Sequence, residues 1–108
     1  MRGSKAGVIR LSLRTVAADE PGGEAAIRSR FRDEGLAPRS WSSDPGFRFG
    51  RHSHPRDKVL YCVRGSIVFL AGDIQSSVGP GDRLEIEAGT DHAATVGPEG
   101  VDCLEAYR

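Results

Sequence analysis

This 108-residue chain has no excess of charge of either sign, since fifteen Lys and Arg stand against fifteen Asp and Glu. Such a balance lacks the electrostatic footprint that nucleic acid or an anionic membrane requires, so neither is an expected partner. No hydrophobic run approaches the ~20 apolar residues of a membrane-spanning helix. Residues 1–5, Met-Arg-Gly-Ser-Lys, are basic but have no apolar segment behind them. No secretory leader is therefore expected, and the expected location is the cytoplasm. Cysteine is scarce: Cys62 and Cys103 are the only two. Their spacing fits neither a zinc knuckle nor a redox motif, and both read as buried free thiols. Repeats, linkers and low-complexity tracts are missing as well. The length suits one domain over residues 1–108 with a single core that needs no disulfide staples.

Against that background, short strand-like runs dominate. Ile9, Leu11 and Leu13 alternate with Arg10, Ser12 and Arg14, the period-two pattern of a half-buried strand. The strand is expected over 8–16 and is suited to covering a sheet edge, its own or a partner's. After the break at Pro21-Gly22-Gly23, residues 24–34 read as one short amphipathic helix with Ile27 and Phe31 four apart on its apolar face. Gly35 is a plausible left-handed stop. From Trp41 onward, runs at 58–63, 67–70, 84–87, 93–96 and 101–107 are separated by Gly- and Pro-rich turns. Many short strands at this spacing predict an antiparallel sandwich or barrel. The expected division is an N-terminal strand and helix over 1–40, packed on a barrel core over 41–108.

Histidine is as scarce as cysteine, yet patterned. His52 and His54 lie one residue apart and His92 follows later, and there are no others. On a strand, residues two apart point to the same side of the sheet. A third imidazole can join them from a neighbouring strand, and three neutral imidazoles make a good partial shell for a divalent transition metal. Taken singly, each histidine reads as a surface or turn residue. Their joint register with surrounding glycines reverses that reading.

The register runs Gly46, five residues, His52-Ser53-His54, three residues, Lys58, six residues, Gly65, and then Gly81, Gly89 and His92. It resembles the two motifs of the cupin superfamily. Lys58 stands where the family's metal-binding glutamate would be, Glu87 replaces a proline and Val96 an asparagine. The resemblance spans roughly residues 46–96 and implies an all-β fold, a double-sheet jelly-roll barrel. It also implies His52, His54 and His92 as metal ligands, with iron(II) expected first and nickel, manganese, zinc or copper compatible with imidazole. Cupins commonly dimerise, so a homodimer is expected.

If that register holds, strand parity sends further side chains into the pocket. Arg48 and Gly50 would share a side with His52 unless a bulge near Gly50 breaks the phase. Lys58, Leu60 and Cys62 would share a face, with Val59, Tyr61 and Val63 on the other, and Ala94 and Val96 would point with His92. Arg48, as a grip for a substrate carboxylate, and Cys62 are the candidate substrate contacts. Trp41 and Tyr61 read as packing residues.

Lys58 is the informative departure. An ammonium has no free lone pair with which to coordinate, and at about 6 Å from a dication the repulsion is roughly 5 kcal/mol for an effective dielectric near 20. Three outcomes follow. Lys58 turns aside to pair with Asp57, Glu85 or Glu105; it stays near the metal as a neutral amine that takes a proton from substrate; or it weakens metal binding. The leading expectation is a metal-dependent enzyme acting on a small molecule, with oxygen-dependent cleavage first and isomerase or lyase chemistry next. The alternatives are a non-catalytic ligand-binding module and a dimerising domain stapled by metal, because fold alone does not fix function.

Overall fold

The computed structural model describes residues 7–13, 15 and 23–108. Among these, the elements are β1 (Ile9–Ser12), α1 (Gly23–Asp33), β2 (Arg39–Ser43), β3 (Arg48–His52), β4 (Lys58–Ala71), β5 (Ile74–Val78), β6 (Arg83–Ile86) and β7 (His92–Tyr107). The seven strands form one antiparallel sheet in the order β1-β6-β4-β7-β2, with β3 added to β7 and β5 to β4. The fold is the expected all-β jelly roll with one helix. The expected runs at 58–63 and 67–70 fuse into the 14 residues of β4, and those at 93–96 and 101–107 into the 16 of β7.

These two long strands serve both walls of the barrel. The first half of β4 pairs with β6 and its second half with β5, while β7 runs beside it throughout. The change of wall falls where the β4–β7 register slips, between Cys62 and Arg64 and again between Gly65 and Ile67. Bulges bend a strand and raise its twist. Gly65 has φ +79°, and a Cβ there would lie 2.0 Å from the Gly100 carbonyl oxygen, so only glycine fits this corner.

Strand parity divides the core in two. Leu60, Cys62, Ile67, Phe69, Leu84 and Cys103 are among the buried residues of the barrel interior. Val59, Tyr61 and Val63 face outward and are covered by Ile27 and Phe31 of α1. The Phe31 and Tyr61 rings meet edge to face at 5.3 Å, a favoured aromatic geometry. The helix ends where the sequence predicts. Gly35 N–H donates to Arg32 O (2.9 Å) and Leu36 N–H to Phe31 O (2.9 Å), a Schellman pair with Gly35 at φ +73°.

Strand β1 covers its own chain's edge, with Ile9 opposite Ile86 and Leu11 opposite Leu84. The remainder of the expected 8–16 strand, from Arg14 to Val16, lies outside the described residues apart from Thr15.

Candidate metal centre

The three histidines converge. His52 stands directly opposite His92 across the β3–β7 ladder, and His54 follows on the loop after β3. Their ring centroids are 4.4 Å apart for His52–His92, 4.8 Å for His52–His54 and 5.3 Å for His54–His92. One ligating atom from each lies within 4.8 Å of the others. Three nitrogens at about 2.1 Å from one ion stand about 3.0–3.6 Å apart, so closing a shell brings the ligating atoms together by about an ångström.

Hydrogen bonds orient the rings. His52 Nδ1 lies 2.6 Å from Gly50 O and His92 Nδ1 2.9 Å from Thr90 O. A carbonyl can only accept, so both Nδ1 atoms carry a proton, which in a neutral ring leaves the lone pair on Nε2. His54 Nδ1 lies 3.4 Å from the Tyr107 hydroxyl. Its Nε2 is buried without any hydrogen-bond partner. An orphaned polar atom of this kind demands an explanation, and a cation accepting its lone pair supplies one. Burial, then the Lys58 charge and the two other imidazoles, push the His54 pKa down to about 4. Burial likewise lowers that of His92. Both rings are therefore neutral at pH 7, the state in which imidazole ligates.

The backbone around the centre is clipped together from several directions. Gly89 N–H donates to His54 O (2.8 Å) and Ala88 N–H to Asp57 Oδ1 (2.8 Å), which ties the loop before His92 to the loop carrying His54. Val8 N–H donates to Thr90 Oγ1 (3.0 Å) and Glu87 N–H to Val8 O (2.8 Å). The segment leading into β1 thus holds the residue whose carbonyl orients His92.

A cavity of about 510 Å³ opens in front of the imidazoles, within the usual ~300–1,000 Å³ range of small-molecule sites. Phe47, Phe49, Ile67, Phe69 and Ala94 make the apolar part of its wall, Trp41 packs on Phe49, and Lys58, Glu105, Tyr107 and Arg39 bring polar and charged groups to the lining. Of the outcomes open to Lys58, the structure adopts the first: its Nζ lies 3.2 Å from Glu105 Oε1. The same oxygen accepts the Trp41 indole N–H at 2.9 Å.

Neither of the two expected substrate contacts lines the cavity. Arg48 is exposed and does not line the cavity. Between Phe49 and His52 the β3 chain takes three steps while β7 takes two, from Ala94 to His92. This bulge puts Phe49, not Arg48, on the side of His52. Cys62 points inward as expected but lies deep in the barrel, opposite Cys103 and away from the cavity. Both thiols are free and buried.

Sequence reasoning passed over Tyr107 and Arg39, read Trp41 as a packing group and weighed Glu105 as a partner for Lys58. The signal was present as alternation. Cys103, Glu105 and Tyr107 share a parity on β7, and Arg39 and Trp41 stand opposite Glu105 and Cys103 on β2.

The cupin domain family model matches residues 40–106, and the chain belongs to this family. No curated protein sequence matches the chain. Among solved structures, a conserved protein of unknown function from Streptococcus pyogenes is similar at 26% identity and TM-score 0.59, over 67% of this chain and 62% of that one. The DMSP lyase DddQ from Ruegeria pomeroyi is similar at 26% identity and TM-score 0.62, over 68% of this chain and 38% of the lyase. KdgF from a Halomonas species shares the fold at 23% identity and TM-score 0.57, over 67% of this chain and 68% of that one. This chain thus spans less than two thirds of the first two. Among the described residues, no helix is long and apolar enough to cross a membrane.

Proposed function

We propose that this protein is a metal-dependent cupin enzyme that binds a small organic molecule in the barrel cavity and moves a proton on it, in the isomerase or lyase class. One observation carries the reading: three imidazoles converge on a cavity, and one of them presents a buried nitrogen with no partner in the protein. His52, His54 and His92 would hold the ion. Iron(II) remains the first choice, with nickel, manganese, zinc and copper compatible. A divalent ion held there would act as a Lewis acid toward an oxygen of the bound molecule, leaving its neighbouring C–H more easily deprotonated.

The groups beside the histidines favour proton transfer over the oxygen-dependent cleavage that the sequence puts first. Tyr107 places a hydroxyl next to His54 and inside the cavity. Glu105 supplies a carboxylate whose position is fixed by Lys58 and Trp41. Both groups are proton carriers within reach of a bound molecule. The apolar wall turns the molecule's non-reacting part away from water. The likeness to a DMSP lyase gives the lyase class further support, although it covers only 38% of that protein. The second reading is a non-catalytic ligand-binding module, favoured by the lysine in place of the motif glutamate.

Metal content by mass spectrometry tests the proposal. Near-stoichiometric transition metal in the wild type that disappears in His92→Ala supports it, and a wild type that stays metal-free after reconstitution overturns it. Oxygen uptake by the loaded protein with a turned-over substrate would reinstate the dioxygenase class. A homodimer is also inferred. Since β1, among the described residues, pairs only with β6 and ends the sheet path, its outer edge is the place for a partner strand. A monomer in sedimentation at micromolar concentration would sink that inference.

A further inference from the structure

We propose that Arg39 is the specificity-determining residue of the cavity, and that it selects a small organic acid by binding its carboxylate while the apolar wall takes an aliphatic or aromatic body. The inference rests on the reading above and specifies its substrate class.

The cavity is lined by two cations, Arg39 and Lys58, and by one carboxylate, Glu105. Lys58 and Glu105 cancel each other as an ion pair at 3.2 Å. Arg39 remains, so the cavity carries a net positive charge before any metal is counted. Arg83 is committed to Glu34 and Glu85, Arg64 to Asp102 and Arg28 to Glu24; Arg32, Arg48 and Arg51 have no carboxylate partner among the described residues, but they do not line the cavity. Among the described residues, none holds Arg39. Glu105 faces it across the β2–β7 ladder, but the Glu105 Oε1 is turned to Lys58 and to the Trp41 indole.

Arg39 opens β2, all of whose residues border the cavity. A guanidinium at the mouth presents a planar fork that matches a carboxylate with two parallel hydrogen bonds. Phe47, half exposed, stacks edge to face on Phe49 at 4.8 Å, and Phe49 on Trp41 at 5.7 Å. An amphipathic acid fits this arrangement: its charge meets Arg39 and its body lies along the aromatic rings. A neutral molecule of the same shape gains only the second contact.

Trp41 is the single tryptophan and lines the cavity, so its fluorescence reports occupancy. The experiment titrates phenylacetate and its neutral isostere phenylacetamide into metal-free and zinc-loaded protein, in the wild type and in the Arg39→Gln, Arg39→Lys and Arg48→Gln variants. Wild type should bind phenylacetate at least about tenfold more tightly than the amide. Arg39→Gln should erase that preference, Arg39→Lys should keep part of it, and Arg48→Gln, an exposed arginine outside the cavity, should leave it intact. The proposal falls if wild type shows no preference, if Arg39→Gln retains it, or if Arg48→Gln loses it equally. Because the preference is read in metal-free protein too, failure to load zinc would count against the metal-enzyme reading without obscuring the result for Arg39.

Discussion

The Lys58 ammonium lies 3.2 Å from Glu105 Oε1, with both side chains more than four-fifths covered. Position 58 lies on the strand that borders the cavity, and position 105 is on β7, where Glu105 pairs in register with Leu60. A charge that would otherwise oppose a bound cation is thereby neutralised within the protein. A half-broken pair of this kind leaves a covered, uncompensated charge. Glu105→Gln should therefore destabilise the metal-free protein by about 3 kcal/mol in urea unfolding, and the double change Lys58→Met with Glu105→Gln should recover most of that loss. Equal destabilisation of the single and double variants would show that the pair is not coupled.

Lys58→Glu tests the same position from the side of the metal. The change replaces a cation with a ligating carboxylate, so affinity for a divalent ion should rise at least about tenfold, while the metal-free protein loses stability because Glu105 then faces a like charge. Competition with a metallochromic chelator measures the first effect. An unchanged affinity would place residue 58 outside the reach of the ion.

Acid should weaken the fold through His54. Its pKa falls from an ordinary value of 6.5 to about 4, because burial and nearby cations oppose the imidazolium. The unfolded chain therefore takes up this proton at a higher pH than the folded one does. The resulting stability is fully present above about pH 6.5 and is lost as pH falls from there to about 4. Denaturation of metal-free protein across this window should show the decline, and His54→Gln should flatten that part of the profile. An NMR titration that puts His54 near its ordinary value would contradict the burial of its ring.

Thr90 links the chain's start to the centre. Its hydroxyl accepts from Val8 N–H at 3.0 Å and its carbonyl orients His92. Thr90→Val keeps the shape and removes the hydroxyl, which should cost about 1 kcal/mol of stability. Loosening a residue that orients a ligand should also weaken metal binding by about tenfold. A stability loss with metal affinity untouched would mean that the clip does not reach the histidine.

The helix should act on stability alone. Phe31→Ala removes a fully covered ring packed on Tyr61 and should cost about 3–4 kcal/mol. Metal content of the folded fraction should match wild type, since this cluster lies on the outer face of the sheet, away from the cavity. Lost metal in well-folded protein would contradict that separation.

The sequence by itself determined the class of fold, the helix and the histidine set. The period-two alternation at Ile9 and Leu11, the Ile27–Phe31 spacing with Gly35 as its stop, and the His52-His54-His92 register with the motif glycines are local patterns. Local patterns fix which elements form and which face of each is apolar, and the division of β4 between Leu60 and Cys62 inside and Val59, Tyr61 and Val63 outside follows from the same rule. The tertiary structure decided what meets what. A single extra residue in β3, at the bulge the sequence allowed near Gly50, exchanged Arg48 for Phe49 at the cavity; alternation alone does not decide whether such a bulge forms. Asp57, Glu85 and Glu105 are equivalent partners for Lys58 on paper, and the β4–β7 register chose Glu105. Arg39 and Trp41 come to the cavity from β2 and Tyr107 from the end of β7 opposite His92, because β2 and β7 close the barrel beside β3. Pairing between distant strands is set by register across the whole sheet, and a one-residue shift turns every side chain to the opposite face.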